Sequence, residues 1–204
     1  MSMLQELEVG KHGPSETGVE ELILKRWSPR SFSDKPVSSA DLTKIFTAAA
    51  WAASSYGEQP WRFLVGRKGD ATYTKIFDAL VEFNQMWAKS APVLILSVGK
   101  KTFTQNGQPN HFALHDTGAA SATFSLEATA LGLHTHGMGG FDRDKARASF
   151  GIPDDFEIGA VWALGYLGDP GALPPNFQGM EKAPRTRKPL HEFVFGAWEE
   201  PANL

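Results

Sequence analysis

Residues 26–32 read Arg-Trp-Ser-Pro-Arg-Ser-Phe, and this stretch carries the strongest indication of fold and function in the chain. Alternate side chains of an extended segment point to the same side. Arg26, Ser28 and Arg30 would then present two guanidinium groups and a hydroxyl together. Such a set of donors matches the oxygens of a phosphate monoester, although an isolated motif of this kind is also typical of a solvated basic turn.

A second pair of alternating arginines, Arg185 and Arg187, lies near the opposite end of the chain. It lies near the end of the proline-rich stretch 168–189, which is too long for an ordinary connection within a compact monomer. We therefore predict a C-terminal arm at about residues 168–204 that wraps around a second subunit. The two basic clusters could converge on one anion.

Composition limits the classes of function. With 204 residues, 42% of them hydrophobic and 21% charged, residues 1–204 are expected to form a single globular domain. A net charge of -3 argues against nucleic acid or a membrane surface as partner. The chain has no cysteine, which excludes disulfides, thiolate nucleophiles and cysteine-held clusters. Redox chemistry would need an organic cofactor or a metal held by histidines and carboxylates.

Residues 1–11 do not resemble a secretory signal, so we expect a cytoplasmic protein.

The order of helices and strands predicts an α+β or mixed α/β fold. Helices are predicted at 38–50, 73–87 and 116–131, with shorter ones before Arg26 and after Asp142. Strands are predicted at 61–65, 93–98 and 158–166, and residues 134–141 are predicted to be a loop. These strands are too few for a doubly wound sheet.

Other catalytic patterns are weak or missing. Residues 137–142 lack the third glycine of a dinucleotide-binding fingerprint, and no G-x-S-x-G elbow is present. A metal hydrolase remains an alternative, since several imidazoles and one carboxylate recur at suggestive spacing. Its candidate ligands are His111, His115, Asp116, His134 and His136, although the glutamate of the zincin motif is missing.

Four motifs, taken together and in this order, resemble the FMN-dependent nitroreductase family. They are residues 26–32, residues 53–63, residues 139–142 and residues 185–187, and the resemblance spans about residues 20–194. It implies a three-layer α+β sandwich with a central mixed, mainly antiparallel sheet. It also implies a homodimer that exchanges the C-terminal arm and binds one FMN in each of two interface pockets.

The resemblance also assigns cofactor contacts to particular residues. The positions that match the family's phosphate, ribityl and N1/O2 contacts are Arg26, Trp27, Ser28 and Arg30, and those that match its further phosphate contacts are Arg185 and Arg187. Backbone N–H groups of Gly139 and Gly140 match the loop beside flavin N5. The loop that lines the flavin contains Ser54, Ser55 and Gln59, and Gly57 stands where family members often carry asparagine.

The implied activity is hydride transfer from NADH or NADPH through FMN to a small electron-poor acceptor, such as a nitroaromatic or a quinone, by ping-pong alternation. Because flavin N5 performs the chemistry, no catalytic side chain and no metal are expected. Two alternatives stay open beside the metal hydrolase. One is a specialised enzyme of the same fold, for dehalogenation, azoline oxidation or flavin breakdown, and the other is a non-enzymatic FMN-holding protein.

Overall fold

A four-stranded sheet forms the centre of the fold, and the computed structural model describes residues 2–204 around it. Its strands are β1 (Trp61–Arg67), β2 (Val93–Lys100), β3 (His134–Met138) and β4 (Phe156–Gly165). They lie in the order β1-β2-β4-β3, and each neighbouring pair is antiparallel. The resemblance implies a mixed, mainly antiparallel sheet, and the described strands pair antiparallel throughout.

Helices lie on both sides of this sheet. They are α1 (Met3–Val9), α2 (Glu21–Lys25), α3 (Ser39–Ala50), α4 (Ala71–Ala79), α5 (Glu82–Ala88), α6 (Ala113–Ala130), α7 (Arg143–Phe150) and α8 (Pro175–Lys182). A short hairpin, β5 (Phe195–Ala197) and β6 (Glu200–Pro201), ends the chain. None of the helices within residues 2–204 has the length and hydropathy that a bilayer-spanning segment requires.

Strand β2 separates two hydrophobic cores. Leu94, Leu96 and Val98 face the core formed with α4, α5 and α7, whereas Val93 and Ile95 face the core formed with α3 and α6. This alternation follows from the two-residue period of a strand, and burial on both faces explains its unbroken apolar sequence. The α+β sandwich is confirmed, with one helical layer on each side of the sheet.

Helix α6 is buried although it is rich in serine and threonine. The hydroxyls of Thr117, Ser121, Ser125 and Thr129 each donate to the carbonyl four residues earlier, at 2.7–2.9 Å. Buried hydroxyls cost little when they are hydrogen-bonded in this way. The small side chains let α6 pack closely against α3 and the sheet, as its composition predicts.

Two sequence predictions were wrong in detail. The helix predicted at 73–87 is broken at Leu80 and Val81, whose backbones are extended. Leu80 forms an isolated antiparallel bridge with Phe141, in which Val81 donates its N–H to the Gly140 carbonyl. The loop predicted at 134–141 begins instead as strand β3. Its histidines and threonine interrupt the apolar alternation of a strand, yet they lie inside the fold, where His136 Nδ1 bonds to the Pro29 carbonyl and His134 Nε2 lies 3.5 Å from a Glu8 carboxylate oxygen.

The first half of the predicted C-terminal arm folds onto its own chain. Helix α8 lies within the stretch predicted to wrap a second subunit, and its Phe177 and Glu181 are fully buried. From Lys182 onward the arm is mostly exposed, and this part includes the β5–β6 hairpin.

The 26–32 motif is attached to the sheet just beyond the end of β4. Ser33 donates its N–H to the Tyr166 carbonyl at 2.9 Å, and Gly168 donates to the Ser31 carbonyl at 3.0 Å. A Cβ on Gly168 would lie 2.4 Å from the Phe32 backbone carbon. Glycine is therefore required for the two segments to come this close.

This close approach gives the first prediction. Gly168→Ala should lower the free energy of unfolding by about 1–3 kcal/mol, because the backbone of the motif must move away from β4. The matched control is Gly179→Ala in α8, where a new Cβ meets open space. It should be neutral or stabilising by up to about 1 kcal/mol. Urea unfolding measures both changes, and equal stability of the two variants would contradict the assignment.

Candidate functional site

Residues from both ends of the chain line one cleft of about 280 Å³, which we call the basic cleft. Six of the residues predicted from the sequence lie in it, namely Arg26, Trp27, Ser28, Arg30, Arg185 and Arg187. The remaining wall is formed by Lys11, Met180, Glu181, Ala183 and Pro184. The two arginine clusters therefore converge in a single chain.

Glu181 fixes the backbone of the motif. Its carboxylate, 1% exposed, accepts the N–H groups of Arg30 at 2.9 Å and Ser31 at 3.0 Å, and the Ser31 hydroxyl at 2.7 Å. These donors satisfy a buried charge without using an arginine side chain. The single carboxylate that lines the cleft is thus bonded to backbone, and the guanidinium groups stay available.

His136 holds the motif from the side of the sheet. Its Nδ1 lies 2.9 Å from the Pro29 carbonyl oxygen, which can only accept, so this nitrogen carries the proton. The ring packs against Trp87, with 4.5 Å between ring centroids. Burial lowers the pKa of His136 to about 4. The hydrogen bond to Pro29 raises the pKa, but by less than burial lowers it. His136 is therefore a neutral donor at physiological pH.

The basic cleft carries more positive than negative charge, because five cationic side chains line it and Glu181 is its single carboxylate. Burial, with the charge of Arg187, lowers the pKa of Arg26 and of Arg185. Among residues 2–204, none of the five cationic side chains in the cleft lies within 4.0 Å of a carboxylate oxygen. The Arg30 Nε is also buried without a hydrogen-bond partner. This donor set suits an anion that carries more than one charge.

Strand β3 connects the basic cleft to the predicted glycine pair. His136 contacts the motif, and Gly139 follows the last residue of the strand, so a rise of about 3.3 Å per residue places it about 10 Å further along. The Gly140 carbonyl accepts from Asn84 Nδ2 at 2.9 Å and from the Val81 N–H at 3.2 Å. The broken helix at Val81 thus fixes this loop, while a Cβ on Gly139 would meet open space.

The loop with Ser54, Ser55 and Gln59 forms a separate part of the surface. Ser54 and Ser55 line a cleft of about 340 Å³ with Phe112 and Asp116, and no residue of this cleft also lines the basic cleft in the described chain. Tyr56, Gly57 and Gln59 adopt positive φ values of 52°, 67° and 50°. Left-handed backbone is costly for the two residues other than glycine, and such strain occurs preferentially at functional loops.

Asp116 anchors this loop. Its buried carboxylate accepts the Ser55 N–H at 2.9 Å and lies 3.1 Å from His115 Nδ1.

The four histidines of the metal alternative do not lie together in the structure. His111 and His115 are exposed at the start of α6, whereas the other two are in β3. Within residues 2–204, no group of three or more histidines and carboxylates is placed to hold a metal ion.

Comparison with known proteins identifies the family. The family model described as "Nitroreductase family" matches residues 23–85 and 68–166. The chain belongs to the nitroreductase family. This membership confirms the resemblance inferred from the four motifs, and it makes the protein an oxidoreductase.

Individual nitroreductase relatives cover most of the chain. A Mycolicibacterium smegmatis protein named only by its 15.4 kDa size is 35% identical over 149 residues, which are 69% of this chain and 99% of that protein. An Archaeoglobus fulgidus protein, provisionally named NADH dehydrogenase/NAD(P)H nitroreductase, is 30% identical over 72% of this chain and 84% of its own. A crystal structure titled as an oxidoreductase containing FMN superposes with a TM-score of 0.81 at 35% identity, and it covers 87% of this chain and 91% of that one.

Several residues that build the candidate site could not be identified from the sequence. Lys11 and Glu181 belong to no motif, and only the fold brings them to the cleft. Asn84 lies in a stretch that looks like continuous helix. His136 and Asp116 were noted only as candidate metal ligands, and the structure gives both a positioning role. The roles of these residues follow from where the fold places them, and this cannot be read from the sequence.

The neutral state of His136 predicts a dependence of stability on pH. Between pH 6.5 and about 4 the unfolded chain binds a proton at this residue and the folded chain does not, so stability falls as the pH is lowered through this window. The total loss from this residue is about 3 kcal/mol. The asparagine amide in His136→Asn can also donate to Pro29 but does not titrate. In this variant the part of the pH dependence of the free energy of unfolding that comes from His136 should therefore vanish. Exposed His111→Asn is the control, and urea unfolding at a series of pH values measures both. An unchanged slope in His136→Asn would contradict the assignment.

Removing the anchor of the 54–59 loop gives a further prediction. Asp116→Ala leaves the Ser55 N–H without its partner, so we expect a loss of about 1–3 kcal/mol in stability and faster hydrogen exchange in the loop. His115→Ala keeps the carboxylate, and its side chain is 78% exposed, so it should change stability by less than about 0.5 kcal/mol. If Asp116→Ala exchanged its loop amides at the original rates, the anchor would be refuted.

Proposed function

We propose that this nitroreductase-family protein is an FMN-dependent oxidoreductase. It takes hydride from NADH or NADPH and passes it to a small electron-poor acceptor, such as a nitroaromatic or a quinone. Donor and acceptor use the same open cleft in turn, which gives ping-pong alternation. The observation that carries this proposal is the convergence of the two arginine clusters on one cleft, in which none of the described cations forms an ion pair.

The chemistry of the donors fits the phosphate of FMN. A phosphate monoester is a compact dianion with three exposed oxygens, and guanidinium groups bind it through paired N–H donors. Arg26, Arg185 and Arg187 supply such donors, and the Ser28 hydroxyl, which lies 3.2 Å from Arg26 Nη1, adds one more. A neutral ligand would leave the charge of the cleft uncompensated. The nucleotide therefore binds with its phosphate in the basic cleft.

The remaining predicted residues orient the ring. When bound, FMN supplies hydride transfer at its N5 atom, so no protein acid or base is needed for that step. Arg30 follows Pro29, which contacts His136 of β3, and as the resemblance implies it would provide a cation at the N1/O2 edge, where the ring bears negative charge on reduction. The backbone N–H groups of Gly139 and Gly140 donate at the opposite end of the strand. The open space above Gly139 leaves this side of the site accessible.

The same proposal includes a homodimer. In one chain the 54–59 loop and the basic cleft are separate surfaces, whereas the family resemblance assigns both to one flavin site. A second copy brings its own loop to the cleft. The C-terminal hairpin supports this arrangement, because Phe193, Phe195 and Trp198 are exposed there, and such apolar side chains are typical of an interface. Ser54, Ser55 and Gln59 then line the flavin bound by the partner subunit.

The direct test is spectroscopic. Protein purified with FMN should be yellow and should bleach on addition of NADH or NADPH under anaerobic conditions. A quinone or nitroaromatic should then restore the colour over repeated turnovers. A colourless protein that takes up no FMN would refute the proposal, and bleaching slower than flavin release would favour a protein that merely holds FMN.

Single arginine substitutions test the phosphate site. Arg26→Ala and Arg187→Ala should each weaken FMN binding by about 1.5–3 kcal/mol, the contribution of a charge-assisted hydrogen bond. Lys68→Ala removes an exposed cation that is not part of the cleft, so it serves as the control and should leave the FMN dissociation constant unchanged. Fluorescence titration measures all three. Unchanged affinity in both arginine variants would remove them from the site.

A further inference from the structure

Lys11 is the one residue of the basic cleft that comes from the N-terminal segment, and no motif accounts for it. Its side chain is 4% exposed, which is unusual for lysine because the ammonium group loses its hydration. Among the described residues it makes no ion pair. A lysine buried among arginines therefore needs another source of negative charge.

The contacts of Lys11 leave part of its ammonium group free. Nζ donates to the Ala183 carbonyl and lies 5.1 Å from the centroid of the Trp27 ring. An ammonium has three donors, so at least one N–H remains for a ligand in the cleft that Lys11 lines. Its stem and its backbone are already held, because the Lys11 carbonyl accepts from Arg185 Nη1. The free donor is thus positioned before any ligand binds.

Burial and the neighbouring arginines destabilise the charged form of Lys11. Burial lowers the pKa of Lys11; Glu181 acts in the opposite direction, and the nearby Arg185 and Arg30 lower the pKa further. Glu181 is bonded to the backbone of the motif and lies beyond ion-pair distance. A dianion in the cleft would offset both the burial and the repulsion between like charges.

We propose that Lys11 is a further phosphate ligand of the basic cleft and that anion binding secures the N-terminal segment to the C-terminal arm. This inference rests on the proposed binding of FMN for the identity of the ligand. It requires less than the proposed function does, because any phosphate group that binds beside Lys11 would satisfy it. Residues 2–11 are then held by the same anion that the arginines bind, through the links from Lys11 to Ala183 and Arg185.

The test compares FMN with riboflavin, which has the same ring and ribityl chain but no phosphate. In Lys11→Met, which keeps an apolar stem against Trp27, the dissociation constant for FMN should rise about 10- to 100-fold and that for riboflavin should stay within about twofold. Lys11→Arg should recover most of the FMN affinity. Lys25→Met removes an exposed lysine paired with Glu21 and serves as the control. Equal changes for FMN and riboflavin, or none, would overturn the inference.

A second measurement uses inorganic phosphate and needs no flavin. Phosphate should raise the melting temperature of the unmodified protein above that in chloride of equal ionic strength, and this rise should shrink in Lys11→Met. If the protein bound no FMN but kept this Lys11-dependent effect, the inference would stand and the proposed function would fail. If FMN bound tightly and Lys11→Met changed neither FMN affinity nor the phosphate effect, the proposed function would stand and the inference would fail. Circular dichroism confirms that the variant is folded, and Lys11→Gln replaces it if it is not.

Discussion

The carboxylate of Glu181 joins the two ends of the chain. It is buried, and it accepts backbone N–H groups of Arg30 and Ser31 from a distance of about 150 residues in sequence. This contact docks α8 against the 26–32 motif and brings the arginines that follow α8 next to those of the motif. Without it, the two basic clusters would have no reason to share one cleft, since like charges repel. The positive character of the site is thus imposed by the fold rather than by mutual attraction of its residues.

The rest of the scaffold extends this arrangement along the sheet. His136 ties the motif to β3, and β3 leads to Gly139 and Gly140, whose loop is fixed by the broken helix at Val81. On the other side of the sheet, Asp116 anchors the 54–59 loop from α6. The motif and the 54–59 loop are therefore each held by a buried carboxylate on a helix, and the glycine loop is held by the half-buried Asn84 of α5. Such support preorganises a binding site before the ligand arrives.

Part of this could be predicted from the sequence. Helix α3, strand β2 and helix α6 have clear periodicity or capping, and the structure confirms them. The arginine motif predicts a phosphate site because guanidinium spacing is a local property. Strand β3 could not be predicted, since its imidazoles interrupt the apolar pattern and depend on long-range contacts with Pro29, Glu8 and two tryptophan rings. Lys11 and Glu181 could not be predicted either, because their importance comes from long-range burial and not from neighbours in sequence.

The proposed function requires that the basic cleft binds the phosphate of FMN. A crystal structure of the protein saturated with FMN tests it most directly. We expect its phosphate oxygens within about 3 Å of nitrogen atoms of Arg26, Arg187 and Lys11. A phosphate bound elsewhere, or a cleft whose cations are neutralised by carboxylates of a partner subunit, would contradict it.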